Sequence, residues 1–356
     1  MRPLLLSSFL FSAAASAAVL EVRSPAELKS VLGKVAAGDV LKIFPGEYPG
    51  GNAVSGIAKL TVEAGDAAQP PHFKGGALAW HFTRCPGLTL RHLKCSGQSA
   101  NGFNLDDGGA DKERMTGVTL TGLEISDIGP DGNFDGIKCS GLDDLTIRDC
   151  SVSGWGGQAI DLVGCHRVLI TGCRFTGKPG FSQHTGPQFK GGSEDGVIEN
   201  CEFLNAGGRP IQAGGSTGTA YFRPLGAKFE ARRIIIRNNR IEGGDCACTF
   251  TGVDGGEFSG NTVLRPAKWI FRILTENRTE GFPPSRNVLI SKNHFTYRRA
   301  DVRVPVNIGG GTAPETFKFD SNTWHAEDRP GASKPELPVA ETNGTYGQAQ
   351  PPPAKP

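Results

Sequence analysis

The chain has 356 residues, 50 of them glycine and only two methionine, which argues against a helical protein because glycine is a poor helix-interior residue. Its formal net charge of +2 gives no warrant for a nucleic-acid partner, so any charged site has to come from local clustering. The nine cysteines are an odd number, and at least one cannot pair within the chain.

Residues 1 to about 18 read as an export signal. Arg2 supplies the positive start, Leu4 to Leu10 the apolar run and Ala15-Ser16-Ala17 the small-residue cleavage site. That run is too short to span a bilayer, so the expected location is extracellular or periplasmic, without a membrane span. Ser24-Pro25-Ala26-Glu27 then forms a capping-box start for a short helix ending near Gly38. The segment from Gly38 to Tyr48 enters a first strand, and a helix at that place would cover the open apolar end of a stack of strands.

Beyond that strand the chain is repetitive. An apolar residue, two variable residues, a Leu, Cys or Asn, one variable residue and another apolar residue recur nine times at intervals of 22 to 38 residues. The first copy is Leu90 to Cys95, the fifth Ile198 to Phe203 and the last Phe319 to Trp324. Alternating apolar residues place one face inward. If copies stack at strand spacing, Leu93, Leu123, Cys150, Cys173, Cys201, Asn239, Asn261, Asn293 and Asn322 form one internal ladder. Stacked asparagine amides hydrogen-bond along such a ladder, and stacked thiols pack as small hydrophobes. Consecutive ladder cysteines cannot all be paired, so reduced packing residues are expected rather than a disulfide framework. Cys246-Ala-Cys248 lacks a second ligand pair at zinc spacing.

A second strand precedes each copy, apolar at its outer positions and polar in the middle. The expected fold is all-β, a right-handed single-stranded parallel β-helix with a short N-terminal capping helix, over residues 19–326. Residues 327–356 are rich in Pro, Ala and Glu without periodicity and are expected to form a disordered tail. The polar middles make an outward column of Asn104, Lys138, Asp161, Lys190, Gln212, Thr249, Arg272 and Asn307, neighbours about 5 Å apart. Arg209 lies three residues before Gln212, with Asp135 and Gln158 at the same offset in earlier rungs. His184 precedes Lys190, and the insertion from Gly214 to Arg223 is placed to wall the groove. Trp155, Tyr221 and Phe222 are candidates for sugar stacking or for packing. Lys138, Asp161 and Lys190 alternate in sign, which an ordinary surface charge ladder also produces.

The helix-to-first-rung segment and the nine-copy pattern resemble secreted, pectin-lyase-like β-helix proteins that act on polysaccharides. Phe189-Lys190-Gly191-Gly192-Ser193 resembles the lysine-containing strand of polysaccharide lyase family six, which includes chondroitinase B and alginate lyases. That resemblance implies β-elimination on a uronic-acid polymer, with Lys190 taking the proton α to the carboxylate and Arg209 offsetting the charge that develops there. Lys138, Asp161, Gln212 and Arg272 of the outward column, with Arg223 of the insertion, are the candidate substrate contacts. The family's arginine stands where this chain has Gln212, and its acidic calcium ligands fall where this chain has Gln183, His184 and Thr185. No cofactor is therefore expected, and calcium has no support from the matching positions. Asp161 opposes Lys190 as a base, and His184 is the reserve, since imidazoles as a class titrate nearer neutrality.

Two other functions stay open. A non-catalytic carbohydrate-binding or surface-adhesive protein fits the same scaffold, because fold does not dictate catalysis; on either reading a monomer is expected. A glycoside hydrolase or epimerase also fits; a hydrolase requires two facing carboxylates, for which Asp135 and Asp161 are the outward pair.

Overall fold

The computed structural model describes residues 17–109 and 113–349. Three parallel sheets run along the molecule, and each turn of chain contributes one strand to each in the order sheet I, sheet II, sheet III. Sheets I and II have twelve strands each and sheet III has ten. In the first turn the strands are Val40–Ile43, Glu47–Pro49 and Asn52–Ser55, after which Thr61–Ala64 returns to sheet I. The handedness follows from the near-universal rule for crossovers between parallel strands.

The hexapeptide is the corner between sheets I and II. Its third position, variable in the sequence, has one backbone conformation throughout: φ is +55° at Asp149, +54° at Asn200, +56° at Asn238 and +62° at Gly260. A single left-handed residue turns the chain there, which suits Gly, Asn and Asp and is tolerated at His92, Lys292 and Ser321. The next residue points inward. Asn239 N and Nδ2 donate to Asn261 Oδ1 at 2.9 and 3.0 Å, and Asn261 engages Asn293, and Asn293 Asn322, in the same way. Each Nδ2 also donates to a strand carbonyl of the rung before, as from Asn261 to Ile236 O at 2.9 Å. Before Asn239 the ladder continues as Cys201, Cys173 and Cys150. All nine cysteines are buried and unpaired, as the spacing implied. Burial pushes the Cys165 thiol up to about 12, which keeps it an inert packing group.

The helix α1 (Pro25–Leu32) is shorter than expected. Ser24 Oγ accepts from Glu27 N at 3.3 Å, and Leu28 is buried against the coil's open end. Ahead of it, Val19–Val22 adds a first strand to sheet I. The export segment lies outside the described residues except at 17 and 18. Among the described residues no helix is long and apolar enough to cross a membrane.

The other end requires a correction. Residues 327–349 are not a loose tail but a cap. Glu341 Oε1 accepts from Asn322 Nδ2 at 2.7 Å and Oε2 from Trp324 Nε1 at 2.8 Å, which closes the asparagine ladder. Leu337, Val339 and Tyr346 pack on the core, and Thr345–Tyr346 adds the twelfth strand of sheet II beside Thr323–Ala326. Residues 350–356 lie outside the described residues.

Candidate active site

The outer face of sheet III carries the predicted column, with one change of register. Asn104, Lys138, Asp161, Gln212, Thr249, Arg272 and Asn307 lie in line, but the member between Asp161 and Gln212 is Gln188, not Lys190. Lys190 sits two residues further along its strand, opposite Val163. A two-residue slip keeps a side chain on its face and moves it about 7 Å along the strand, so Lys190 still points outward. The second column is also real: Gln158 pairs with Thr185, and Thr185 with Arg209.

A chain of four charges crosses this face. Lys138 Nζ lies 2.9 Å from both Asp135 Oδ2 and Asp161 Oδ2, and Lys190 Nζ lies 2.8 Å from Asp161 Oδ1. The two carboxylates are buried, with side chains 0% and 1% exposed, while Lys138 and Lys190 lie above them. Burial, then the Asp161 charge, push the Asp135 carboxyl up to about 6. Burial acts to raise Asp161 as well, but the Lys190 and Lys138 ammonium groups outweigh it and hold that carboxyl below its ordinary value. At Lys138 burial favours loss of the proton; the two aspartates reverse this and raise its value.

Beside this chain lies a cleft of about 540 Å³, a volume typical of small-ligand sites. Its floor and walls are mainly polar. Lys190, Arg209, Arg272 and His184 bring cationic or basic groups, Gln158, Gln188 and Gln212 bring amides, and Asp245 and Glu276 bring carboxylates. Arg209 Nη1 donates to Gln212 Oε1 at 3.0 Å, and Arg272 Nε to Asn307 Oδ1 at 3.1 Å. Gln188 is tied to Gly214 O at 3.0 Å. Buried Gln158 Oε1 has no hydrogen-bond partner among the described residues. The cleft crosses five strands of sheet III, from Gln158–Val163 to Phe271–Leu274, about 19 Å along the coil axis.

Six of the residues singled out from the sequence therefore meet in one cleft: Lys190, Arg209, His184, Gln212, Arg272 and Gln158. Lys138 and Asp161 adjoin it through the charge chain. Arg223 does not. It lies at the corner from sheet III to sheet I, packed on Gly164 and Gly192, with Nε 3.7 Å from Asp107 Oδ2. The insertion that carries it crosses that corner, which sequence distance does not reveal. Trp155 and Phe222 are core residues, the first donating to Thr185 O at 2.8 Å and the second set edge-on to Phe282; Tyr221 alone of the three is exposed. Sequence reading missed Gln188, Asp245 and Glu276. Asp245 and Glu276 stand outside the repeated strand cores and had no periodic signal to mark them.

Asp135 and Asp161, the pair considered for hydrolysis, cannot face a glycosidic oxygen, because both are sealed beneath the lysines. Among the described residues no group of three or more His, Cys, Asp or Glu is arranged to hold a metal ion.

A family model for right-handed β-helix regions matches residues 101–263. No curated protein sequence matches the chain. Among solved structures, an alginate lyase from Paenibacillus sp. is 19% identical over 83% of this chain and 99% of its own, with a TM-score of 0.50. An endo-xylogalacturonan hydrolase from Aspergillus tubingensis is 12% identical over 92% of this chain and 100% of its own, TM-score 0.59. A Streptococcus pneumoniae surface protein and adhesin is 13% identical over 91% and 82%, TM-score 0.55. At such identities the shared property is the coil itself. By fold, the chain is a right-handed parallel β-helix.

Proposed function

We propose that the chain is an exported protein that binds a uronic-acid polysaccharide in the sheet III cleft and cleaves it by β-elimination. The observation that carries the reading is the convergence of Lys190, Arg209, Arg272 and His184 in one cleft without an apolar wall. Cations suit a carboxylated sugar, and the free Gln158 Oε1 suits a sugar hydroxyl, since a buried acceptor without a donor is costly. The alginate lyase and the xylogalacturonan hydrolase among the structural neighbours fit a polysaccharide ligand.

The ion pair with Asp161 changes the roles that the family resemblance implies. Lys190 Nζ is committed to that carboxylate, so Lys190 serves as a cation that, with Arg209, binds the uronate carboxylate. His184 is exposed in the cleft and its imidazole makes no hydrogen bond among the described residues; it is the base. It removes the C5 proton, the electron pair forms the C4–C5 double bond, and the O4 leaving group departs with the C4–O4 pair and takes a proton from water. No metal is assigned to this step.

Purified protein incubated with alginate, pectate, chondroitin sulfate and hyaluronan is expected to raise absorbance near 235 nm, the band of an unsaturated uronate, with at least one of them. His184→Ala should lower kcat by about a hundredfold or more, the usual worth of a general base. Lys190→Ala and Arg209→Ala should each cost about ten- to a hundredfold in kcat/KM, as for a charge-assisted hydrogen bond. New reducing ends without absorbance would replace the reading with hydrolysis by Asp245 and Glu276. Binding without any product would leave an adhesive protein, the role named for the pneumococcal neighbour.

A further inference from the structure

Glu230 stands at the start of a sheet I strand, Ala231–Arg237, and is fully buried. Both its oxygens are taken. Oε2 accepts from Gly191 N at 3.0 Å and Thr217 Oγ1 at 2.7 Å, and Oε1 from Thr217 N at 2.8 Å and Asn277 Nδ2 at 3.0 Å. Four donors from three separate segments thus converge on one carboxylate. Each segment has the same relation to the cleft: Gly191 follows Lys190, Thr217 follows Ser216 and Asn277 follows Glu276, and those three preceding residues all line it. Glu230 itself stays outside the cleft. Its backbone is fixed too, since its carbonyl accepts from Gly192 N at 3.0 Å and Ser193 N at 3.2 Å.

We infer that Glu230 is a positioning residue, a buried clamp that sets the distance between the Lys190 floor of the cleft and the two loops that wall it. The insertions after Gly214 and after Leu274 are the chain's departures from regular rungs near the cleft, and a strand ladder holds neither in place. Charge-assisted bonds to backbone N–H groups are stronger than neutral ones, so one buried carboxylate orders two loops that lack strand pairing. The inference rests on the proposed function only for the ligand used to read it. The clamp itself concerns the loops alone.

The test uses the full chain and Glu230→Gln, which keeps the shape but turns an NH2 toward donors. Hydrogen exchange without substrate is expected to speed up at least tenfold at Gly191, at Thr217 and over 276–279, with the rungs on either side unchanged. With an oligouronate, KM should rise about tenfold while kcat changes less than threefold, since a displaced wall weakens binding before it alters the base. Should Glu230→Gln fail to fold, Asn277→Ala releases the Asn277 arm together with its bond to Thr217 O at 3.4 Å: exchange rises over 276–282, while Gly191 stays protected. Unchanged exchange at these segments, or a fall in stability with exchange spread evenly over the coil, overturns the clamp. If the loops loosen but the native protein binds no uronate, the clamp stands and the proposed function falls.

Discussion

Asp135 and Asp161 share the ammonium of Lys138, yet their surroundings drive them apart. Asp161 touches two lysines and keeps its charge; Asp135 touches one, is equally buried, and is pushed up to about 6. An acid whose folded-state value lies above its unfolded value binds more protons when folded, so its contribution to stability falls as pH rises through that window. For Asp135 the window runs from about 4 to about 6, and two units of difference correspond to roughly 3 kcal/mol. Asp161 has the opposite sign: its stabilisation is present above about pH 4 and is lost as pH falls. The difference in unfolding free energy between the native chain and Asp135→Asn should therefore change by about 3 kcal/mol between pH 4 and pH 7, the native chain losing ground as pH rises. Urea unfolding at several pH values measures this; a flat difference would show that folding leaves the Asp135 carboxyl at its ordinary value. Much at this scale was legible beforehand, because period-two alternation placed Lys138, Asp161 and Gln212 on one face. The position of Lys190 was not. Phe189-Lys190-Gly191 has the apolar-polar-small sequence of a rung centre, whereas the true centre is Pro187-Gln188-Phe189, and proline is a poor marker of a strand interior.

The corner ladder shows how one element can be made of two chemistries. Cysteine and asparagine occupy equivalent places, but they hold the coil differently. Cys173 Sγ lies 3.4 Å from Thr171 O and fills space. Asn261 links the rungs on both sides, accepting from Asn239 and donating to Ile236 O and Asn293. Removing the amide leaves buried donors and acceptors on both neighbours without partners, each costing about 1–3 kcal/mol. Asn261→Ala should thus lower unfolding free energy by roughly 3 kcal/mol or more, and Cys173→Ala by about 1–2 kcal/mol, the ordinary cost of a small core truncation. Denaturant midpoints decide it, and equal losses would mean that the ladder's hydrogen bonds contribute nothing beyond volume. The ladder itself was legible in the nine-copy pattern. What the pattern hid is the left-handed residue beside it: that position is constrained in backbone and free in side chain, so Gly, Asn, Asp, His, Lys and Ser all occur there and the repeat reads as variable.

At the scale of the whole molecule a coil grows rung by rung, and its weak points are its two ends, where strand edges and core side chains would meet water. The N-terminal closure was legible as a capped helix. The C-terminal closure was not, because a segment that covers a coil end has no strand partner on its far side and so no periodicity to leave in the sequence. Residues 327–349 are held instead by separate anchors: Glu341 on Asn322 and Trp324, Ser333 O receiving Tyr297 Oη at 2.8 Å, and Leu337 and Val339 on the apolar end. Trp324 beneath them stacks on Phe295 with ring centroids 4.1 Å apart, so lifting the cap uncovers a large aromatic surface and an open edge of sheet II. Deleting 327–356 should therefore lower Tm and produce concentration-dependent association, read by light scattering. Glu341→Ala, which strips acceptors from Asn322 and Trp324 while leaving the apolar contacts, should fall between that deletion and the native chain, at about 2 kcal/mol. If the long deletion melts with the native chain and stays monomeric, the segment is an appendage, and the last full rung closes the coil by itself.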